Sequence, residues 1–149
     1  MIRIKDVDAQ NILDVCGLTT DQDGVGTAGK GHCRCNALSI AAATYHPDMH
    51  PHAIYHNHLL IGFFMYQRDE NQAGTATICR FMLDDRFRHK GLEEKALEHI
   101  LRGLKIQGVK KVVLKTDAAG ENAENLYPSL GFHPAGGTEQ TGRRYELEL

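Results

Sequence analysis

A basic loop that ends in glycine, Arg88 to Gly91, has the composition of a phosphate-binding loop. The apolar spacing that follows it predicts a helix, so the loop precedes unpaired backbone N–H groups and the positive end of a helix dipole. A pyrophosphate binds to such donors, and Arg88 and Lys90 add positive charge. The same residues also suit a solvated helix cap, and both interpretations stay open at this point.

Tyr127 is followed by Pro128 and lies close in the sequence to Phe132. These neighbours favour a ring that packs in the core, with its hydroxyl bound to a carbonyl.

Three charged residues precede the Arg88 to Gly91 loop in the sequence. Arg80 falls within an expected strand, where an ion-pair partner is as reasonable as a functional role. Asp84 and Asp85 have the setting of turn and capping residues rather than of catalytic bases.

Cys33 and Cys35 are the only close pair among four cysteines, with His32 beside them. Five more histidines follow downstream: His46, His50, His52, His56 and His58. Structural zinc sites favour two to four residues between paired cysteines, and these histidines are scattered over an expected loop and strand rather than set on one helix. We therefore predict free thiols, solvated or capping histidines and no metal site.

The charge balance argues against two classes of partner. Lys and Arg number 17 against 19 Asp and Glu, which gives a net charge of -2 and no basic excess for nucleic acid or an anionic membrane. No apolar run is long enough to span a bilayer, and an acidic residue interrupts the N-terminal stretch where a signal peptide needs an apolar core. The sequence predicts a cytoplasmic protein.

The elements that must position these residues follow from periodicity. Helices are predicted at Ala9 to Leu18, Asn36 to Tyr45, Gly91 to Ile106 and Glu121 to Leu130. Strands are predicted at Met1 to Lys5, Ala53 to His56, Leu59 to Tyr66, Thr75 to Leu83, Lys111 to Thr116 and Tyr145 to Leu149. A hairpin turn is expected near Asn57, and Thr20 to Gly31 is expected to form an exposed, mobile loop. This order predicts one layered α/β domain over residues 1–149, built around a mixed sheet.

Two motifs resemble the GNAT N-acetyltransferases, which use acetyl-CoA. Their signature, Arg or Gln, two residues, Gly, one residue, Gly or Ala, begins at Arg88 and has its first glycine at Gly91. The run from Ala123 to Phe132 is similar to the family's Ala-x-x-Leu-Tyr-x-x-Leu-Gly-Phe segment. Other segments resemble the spermine/spermidine (diamine) acetyltransferase branch: Asn36 to Ala41, Pro51 to Tyr55, Ile61 to Phe63 and Arg80 to Asp84.

The resemblance implies the GNAT fold, α+β layered, with one mixed, mostly antiparallel sheet flanked by helices. It implies acetyl transfer from acetyl-CoA, as cosubstrate, to a primary amine such as spermine or spermidine, by direct attack in a ternary complex. Tyr127 would protonate the departing thiolate, and backbone N–H groups near Met82 and Leu83 would polarise the acetyl oxygen. The cofactor-binding residues implied are Met82, Leu83, Arg88, His89, Lys90, Gly91, Leu92, Glu93, Asn122 and Asn125. Family members commonly dimerise, which allows a homodimer here.

The chain departs from the family pattern at several positions. The third motif position, small in the family, is Glu93, and the usual Asn seven residues before the tyrosine is Gly120. These changes leave open a non-catalytic acyl-CoA-binding or regulatory domain. Aromatic residues expected just before Arg80 are replaced by Ala76, Thr77 and Cys79. Acidic candidates for holding a polyamine are Asp48, Asp69, Glu70 and Glu146, each of which could also be plain surface charge.

Overall fold

The structure, a computed structural model, describes residues 1–19, 36–69, 71–115, 123–138 and 142–149. Its strands are β1 (Ile2–Asp6), β2 (Met49–His56), β3 (Leu59–Arg68), β4 (Thr75–Leu83), β5 (Lys111–Lys115), β6 (His133–Thr138) and β7 (Gly142–Glu148). Its helices are α1 (Ile12–Gly17), α2 (Asn36–Tyr45), α3 (Leu92–Ile106) and α4 (Ala123–Ser129), with a short 3-10 turn at Asp85–Phe87.

The seven strands form one sheet in the order β1-β2-β3-β4-β5-β7-β6. The β4–β5 pair is parallel and is joined by the crossover through α3, whereas the other five pairs are antiparallel. This confirms the predicted mixed, mostly antiparallel sheet with flanking helices. The predicted hairpin joins β2 to β3, where Asn57 and His58 have φ of 49° and 71°, the positive values that a tight two-residue hairpin turn requires.

Both faces of the sheet are covered, which explains the continuous apolar run in β3. Phe64 and Tyr66 belong to the larger core cluster with α3, whereas Phe63 and Met65 belong to a smaller cluster with α1. The side chains of α3 that are buried recur at helical spacing, as predicted: Leu92, Ala96, Leu97, Ile100, Leu101 and Leu104. Successive side chains of β3 therefore face two different helical layers.

The prediction missed one strand and misplaced the starts of α1, β2 and β7 by three or more residues; β7 begins at Gly142 rather than at Tyr145. The missed strand, β6, has the sequence HPAGGT, which lacks apolar alternation; it lies at the sheet edge, where proline is tolerated. β2 begins at Met49 rather than at Ala53 and includes Pro51, which lies beyond the end of β1 and pairs with β3.

The helix predicted from Ala9 begins instead at Ile12. A turn precedes it, in which the Asp8 carboxylate accepts hydrogen bonds from the backbone N–H groups of Gln10 and Asn11, at 2.8 and 2.9 Å. The Asn11 side-chain oxygen in turn accepts from the Asp8 N–H at 2.8 Å. This reciprocal pairing competes with the helix for the same backbone groups.

Several sequence predictions lie outside the described residues. These are the Thr20 to Gly31 loop, His32, Cys33, Cys35, Glu70, Gly120 and Asn122, while for Asn125 only the backbone, within α4, is described. Where side chains are described, no group of three metal-ligating residues is found. Among the helices that the structure describes, none is long and apolar enough to cross a membrane.

Candidate active site

Strand β4 is paired on both sides in its first half and on one side in its second. It pairs with β5 from Thr75, opposite Lys111, to Ile78, opposite Leu114, whereas its pairing with β3 continues to Leu83. We call Thr75–Ile78 the closed segment and Cys79–Leu83 the open segment. Over the part of the chain that the structure describes, no residue of β5 pairs with β4 beyond Ile78, and we call the space beside the open segment the gap.

A β-bulge marks the change from one segment to the other. On β3, Met65 pairs with Arg80 and the next residue, Tyr66, pairs with Ile78, so Cys79 is the extra residue of β4. Such a bulge bends its strand and increases the local twist. The bend falls where the pairing with β5 ends.

The open segment presents a backbone N–H group to this gap. The Asp84 N–H donates to the Ile61 carbonyl at 2.7 Å, on the β3 side. Because N–H groups of neighbouring residues in a strand point to opposite sides, the Leu83 N–H points away from β3. The Leu83 side chain is buried, 2% exposed, and packs in the cluster with α3, which fixes the backbone at this point. Met82, the other residue predicted here, turns its N–H toward β3.

The loop between β4 and α3 is built on two left-handed residues. His89 has φ of 62°, and Gly91, the residue before α3, has φ of 76°. Left-handed residues in such a loop turn backbone N–H groups toward a common side, and the first turn of α3 adds further unpaired N–H groups. A side chain at Gly91 would meet no atom within 4 Å, so glycine is required there for its conformation rather than for space.

Charges around the loop are mixed. The Arg88 guanidinium lies 3.6 Å from the Asp85 carboxylate, while His89 and Lys90 are exposed. Glu93, the departure from the family motif, is half-buried in the first turn of α3. The backbone N–H groups are thus a more distinctive feature of this loop than its net charge.

Tyr127 packs as its apolar neighbours suggested. Its half-buried ring lies 6.0 Å from the Phe132 ring and 5.6 Å from the Tyr145 ring, measured between centroids. Its carbonyl accepts hydrogen bonds from the N–H groups of Leu130 and Phe132, both at 3.1 Å, where α4 ends at the left-handed Gly131. The ring is therefore part of the core, and the role of its hydroxyl as an acid stays a prediction.

Asp84 holds the end of the open segment and caps the 3-10 turn, as predicted for a turn and capping residue. It is 3% exposed, and its carboxylate accepts from the Thr19 N–H at 3.1 Å and from the Arg86 N–H and Nε at 3.1 and 2.8 Å. Burial raises the pKa of Asp84, but the hydrogen bonds from Arg86 and Thr19 outweigh it and hold that pKa below its usual value. Asp84 is thus a paired carboxylate that caps the turn.

The described acidic candidates for amine binding lie far apart. Asp48 accepts a hydrogen bond from Gln67 at 2.5 Å, and Asp69 is exposed. Both lie at the Thr75 end of the sheet, about 25 Å along the strands from Leu83 at roughly 3.3 Å per residue. Neither of them is therefore well placed to bind an amine near the open segment.

Glu146 is closer to the gap and is ion-paired. It pairs with Val113, the strand neighbour of Thr77 in the closed segment. Its carboxylate oxygens lie 3.2 Å from Lys111 Nζ and 2.9 Å from an Arg144 nitrogen, and these hydrogen bonds hold the pKa of Glu146 below its usual value. Glu146 is therefore ionised at neutral pH and already has two cationic partners.

Comparison with known proteins agrees with this geometry. The spermine/spermidine N(1)-acetyltransferase of Bacillus subtilis is 28% identical over 100 residues, which cover 63% of this chain and 66%, just under two thirds, of that protein. An acetyltransferase of Thermus thermophilus has a TM-score of 0.77 at 15% identity, covering 99% of this chain and 97% of its own. The PaiA N-acetyltransferase of Thermoplasma acidophilum, solved with coenzyme A, has a TM-score of 0.73 at 14% identity, covering 100% and 99%.

The structural neighbours share the fold, and the family follows from the sequence match. The acetyltransferase (GNAT) family model matches residues 24–132, well over half of the chain, including the loop at Gly91 and the run that contains Tyr127. The predicted resemblance and the predicted enzyme class, acetyltransferase, are thereby confirmed. This chain belongs to the GNAT family of acetyltransferases.

Proposed function

We propose that this protein transfers the acetyl group of acetyl-CoA to a primary amine, with polyamines such as spermine and spermidine as the preferred acceptors. The observation that carries the proposal is the open segment of β4, which begins at a bulge and leads directly into the left-handed loop before α3. An extended thioester cosubstrate needs both features, a free strand edge and an anion-binding loop.

The described residues fit this cosubstrate. The N–H groups of the Arg88–Glu93 loop would hold the diphosphate, and Arg88 would add a charge shared with Asp85. The free edge of the open segment would pair with the amide groups of the pantetheine arm as a neighbouring strand does. Asn122 and Asn125, whose side chains lie outside the described part of the chain, would help to hold the arm, as the family resemblance implies.

The chemistry requires several proton and charge adjustments. A primary amine with a pKa near 10 is protonated at neutral pH, so it must release a proton through water to the solvent before its nitrogen attacks the thioester carbon. That nitrogen loses a second proton as the amide forms. The carbonyl then becomes an oxyanion, which the Leu83 N–H would stabilise. When the carbon–sulfur bond breaks, Tyr127 would protonate the departing thiolate, which contributes on the order of 10²- to 10⁴-fold.

The acceptor class is supported by the Bacillus subtilis relative, which is named for the acetylation of spermine and spermidine. The amine itself would be a small-molecule partner. A homodimer and a cytoplasmic location also remain proposals. The alternative, a domain that binds acyl-CoA without turnover, is favoured by one observation, the half-buried Glu93 in the turn that would face the diphosphate.

One experiment separates these possibilities. Release of the CoA thiol is followed with spermine, spermidine, an aminoglycoside and a peptide with a free N-terminus, alongside thermal unfolding with acetyl-CoA. We expect the highest kcat/KM for the polyamines, and a stabilisation of about 2.7 kcal/mol when acetyl-CoA is at about 100 times its Kd. Activity only on the peptide would overturn the polyamine class. Stabilisation without thiol release would favour the non-catalytic domain.

A further inference from the structure

Asn36, the first residue of α2, is a buried polar side chain that touches the open segment. It is 2% exposed, and its Oδ1 accepts a hydrogen bond from an Arg80 Nη atom at 3.0 Å. Its Nδ2 donates to the Val15 carbonyl in α1 at 2.8 Å and lies 3.8 Å from the Met82 sulfur. One side-chain amide thus joins α1 and α2, the two helices that form a layer on one face of the sheet, to β4.

These contacts reach Arg80 and Met82, two of the open-segment residues whose side chains face away from α3. Side chains alternate along β4, so Phe81 and Leu83 face α3 and pack in its core cluster, whereas Arg80 and Met82 face the α1–α2 layer. Since no β5 residue pairs with the open segment over the range that the structure describes, this layer adds a lateral restraint that the sheet does not provide.

The chemistry of an amide is needed at this position. The Val15 carbonyl, in the last turn of α1, accepts from the Leu18 N–H at 3.2 Å, and its second lone pair accepts from the Asn36 Nδ2 at 2.8 Å, so a donor side chain is favoured here. The Arg80 guanidinium requires an acceptor. Asparagine supplies both, whereas aspartate would set an acceptor against the carbonyl and leucine would satisfy neither.

We infer that Asn36 and Arg80 are positioning residues for acetyl transfer, which hold the open segment so that the Leu83 N–H meets the thioester oxygen. Arg80 lies three residues before Leu83 on the same strand, and Asp84, held by Thr19, fixes the residue after it. The inference rests on the proposed function, because it assigns these residues to that reaction. Neither residue needs to touch the substrate.

The test compares Asn36→Ala with Asn11→Ala. Asn11 is also a buried asparagine beside a helix N-terminus, and its Nδ2 donates to the Asp6 carbonyl at 3.1 Å. Its side chain bonds to β1, to the turn between β1 and α1, and to Tyr55, but not to β4. Both variants remove the side-chain hydrogen bonds of a buried amide, so both lose stability. We expect Asn36→Ala to lower kcat about 10- to 100-fold with less than a 3-fold change in the Kd of acetyl-CoA, and Asn11→Ala to keep kcat within about 2-fold.

Two further variants test whether the pair acts as a unit. Arg80→Lys keeps a cationic donor for Asn36 and should retain more kcat than Arg80→Gln. The double variant Asn36→Ala with Arg80→Gln should lose no more kcat than the worse single variant. Additive losses would overturn the inference that the two residues act together.

Hydrogen exchange provides a readout that does not depend on turnover. In Asn36→Ala, amide exchange in the open segment should accelerate at least about 10-fold more than in the closed segment of the same strand, whereas Asn11→Ala should show no such difference. Equal acceleration in both segments, or an unchanged kcat, overturns the inference. If the unmodified protein acetylates no amine, the proposed function fails, and the exchange data alone decide whether Asn36 holds the open segment.

Discussion

The two halves of β4 share one strand but are stabilised in different ways. In the closed segment, Ala76 and Ile78 are almost fully buried and neighbouring strands lie on both sides. Along the open segment no described β5 residue pairs with the strand, and contacts from residues distant in sequence hold it: Asn36 binds Arg80, and the Asp84 carboxylate at its end accepts from the Thr19 N–H. The open segment therefore depends on polar contacts from elsewhere in the chain, and substitutions in the two halves should have separable effects.

The largest effect on stability is expected in the closed segment. Ile78→Ala removes a side chain that is 1% exposed between β3 and β5, and we expect the free energy of unfolding to fall by about 2–5 kcal/mol. Because the open segment is untouched, kcat per folded molecule should stay within about 2-fold of the original. Urea unfolding and kcat at saturating substrate test both parts, and a large loss of kcat would show that the two halves are not separable.

The next largest effect is expected when a reactive hydroxyl is removed while the ring packing is kept. Tyr127→Phe keeps the ring contacts with Phe132 and Tyr145 and removes the proposed acid, so kcat should fall about 10- to 10³-fold with little change in the KM of the amine. Tyr145→Phe is the matched control, since it removes a hydroxyl from the neighbouring buried ring and should leave turnover intact. Normal turnover in Tyr127→Phe would mean that the thiolate is protonated by another group.

Two glycine substitutions with opposite expected effects are compared, one on β3 beside the open segment and one in α3 as a control. A Cβ atom at Gly62 would overlap the Met82 carbonyl oxygen and the Leu83 side chain, so Gly62→Ala should displace the open segment and cost about 1–3 kcal/mol, with a loss of kcat. Gly103 lies within α3 and a Cβ atom there would meet nothing within 4 Å, so Gly103→Ala should instead stabilise by about 0.5–1 kcal/mol. Denaturation of both variants checks the opposite signs.

The same division describes what the sequence could predict. The closed segment and α3 follow from local periodicity, and the hairpin at Asn57 follows from turn chemistry. The open segment begins at a bulge at Cys79, and a bulge is a difference in register between two strands that one strand's pattern does not contain.

The contacts that hold the open segment are also long-range. Asn36 and Arg80 are 44 positions apart, and Thr19 and Asp84 are 65 apart. A single sequence gives each residue type but not its partner, which is why the prediction for Arg80 left an ion pair and a functional role open, and why that for Asp84 as a turn and capping residue did not include Thr19. The edge strand β6 was missed for a different reason, because its glycines and proline give no strand pattern.

The smallest predicted effect is a pH dependence of the free energy of unfolding, which arises from a residue packed near the closed segment. The His52 ring stacks on Phe64 and Tyr66, with centroids 5.1 and 5.6 Å apart, and Tyr66 pairs with Ile78 of the closed segment. Burial lowers the pKa of His52 from its ordinary value of 6.5, against the opposing contacts with the His50 carbonyl and the Asp6 carboxylate.

Because the folded pKa of His52 lies below the unfolded one, the unfolded chain binds more protons as the pH falls below about 6.5, and stability declines there. The variant His52→Gln cannot titrate at this position, so its stability should fall less on acidification. Between about pH 7.5 and 5.5 we expect the stability of the original protein relative to this variant to drop by up to about 1 kcal/mol. Urea unfolding at both pH values measures this, with the packing difference read at pH 7.5. Parallel pH curves would show that His52 keeps its proton affinity in the sheet, and kcat per folded molecule should not differ between the two proteins, because the open segment is unchanged.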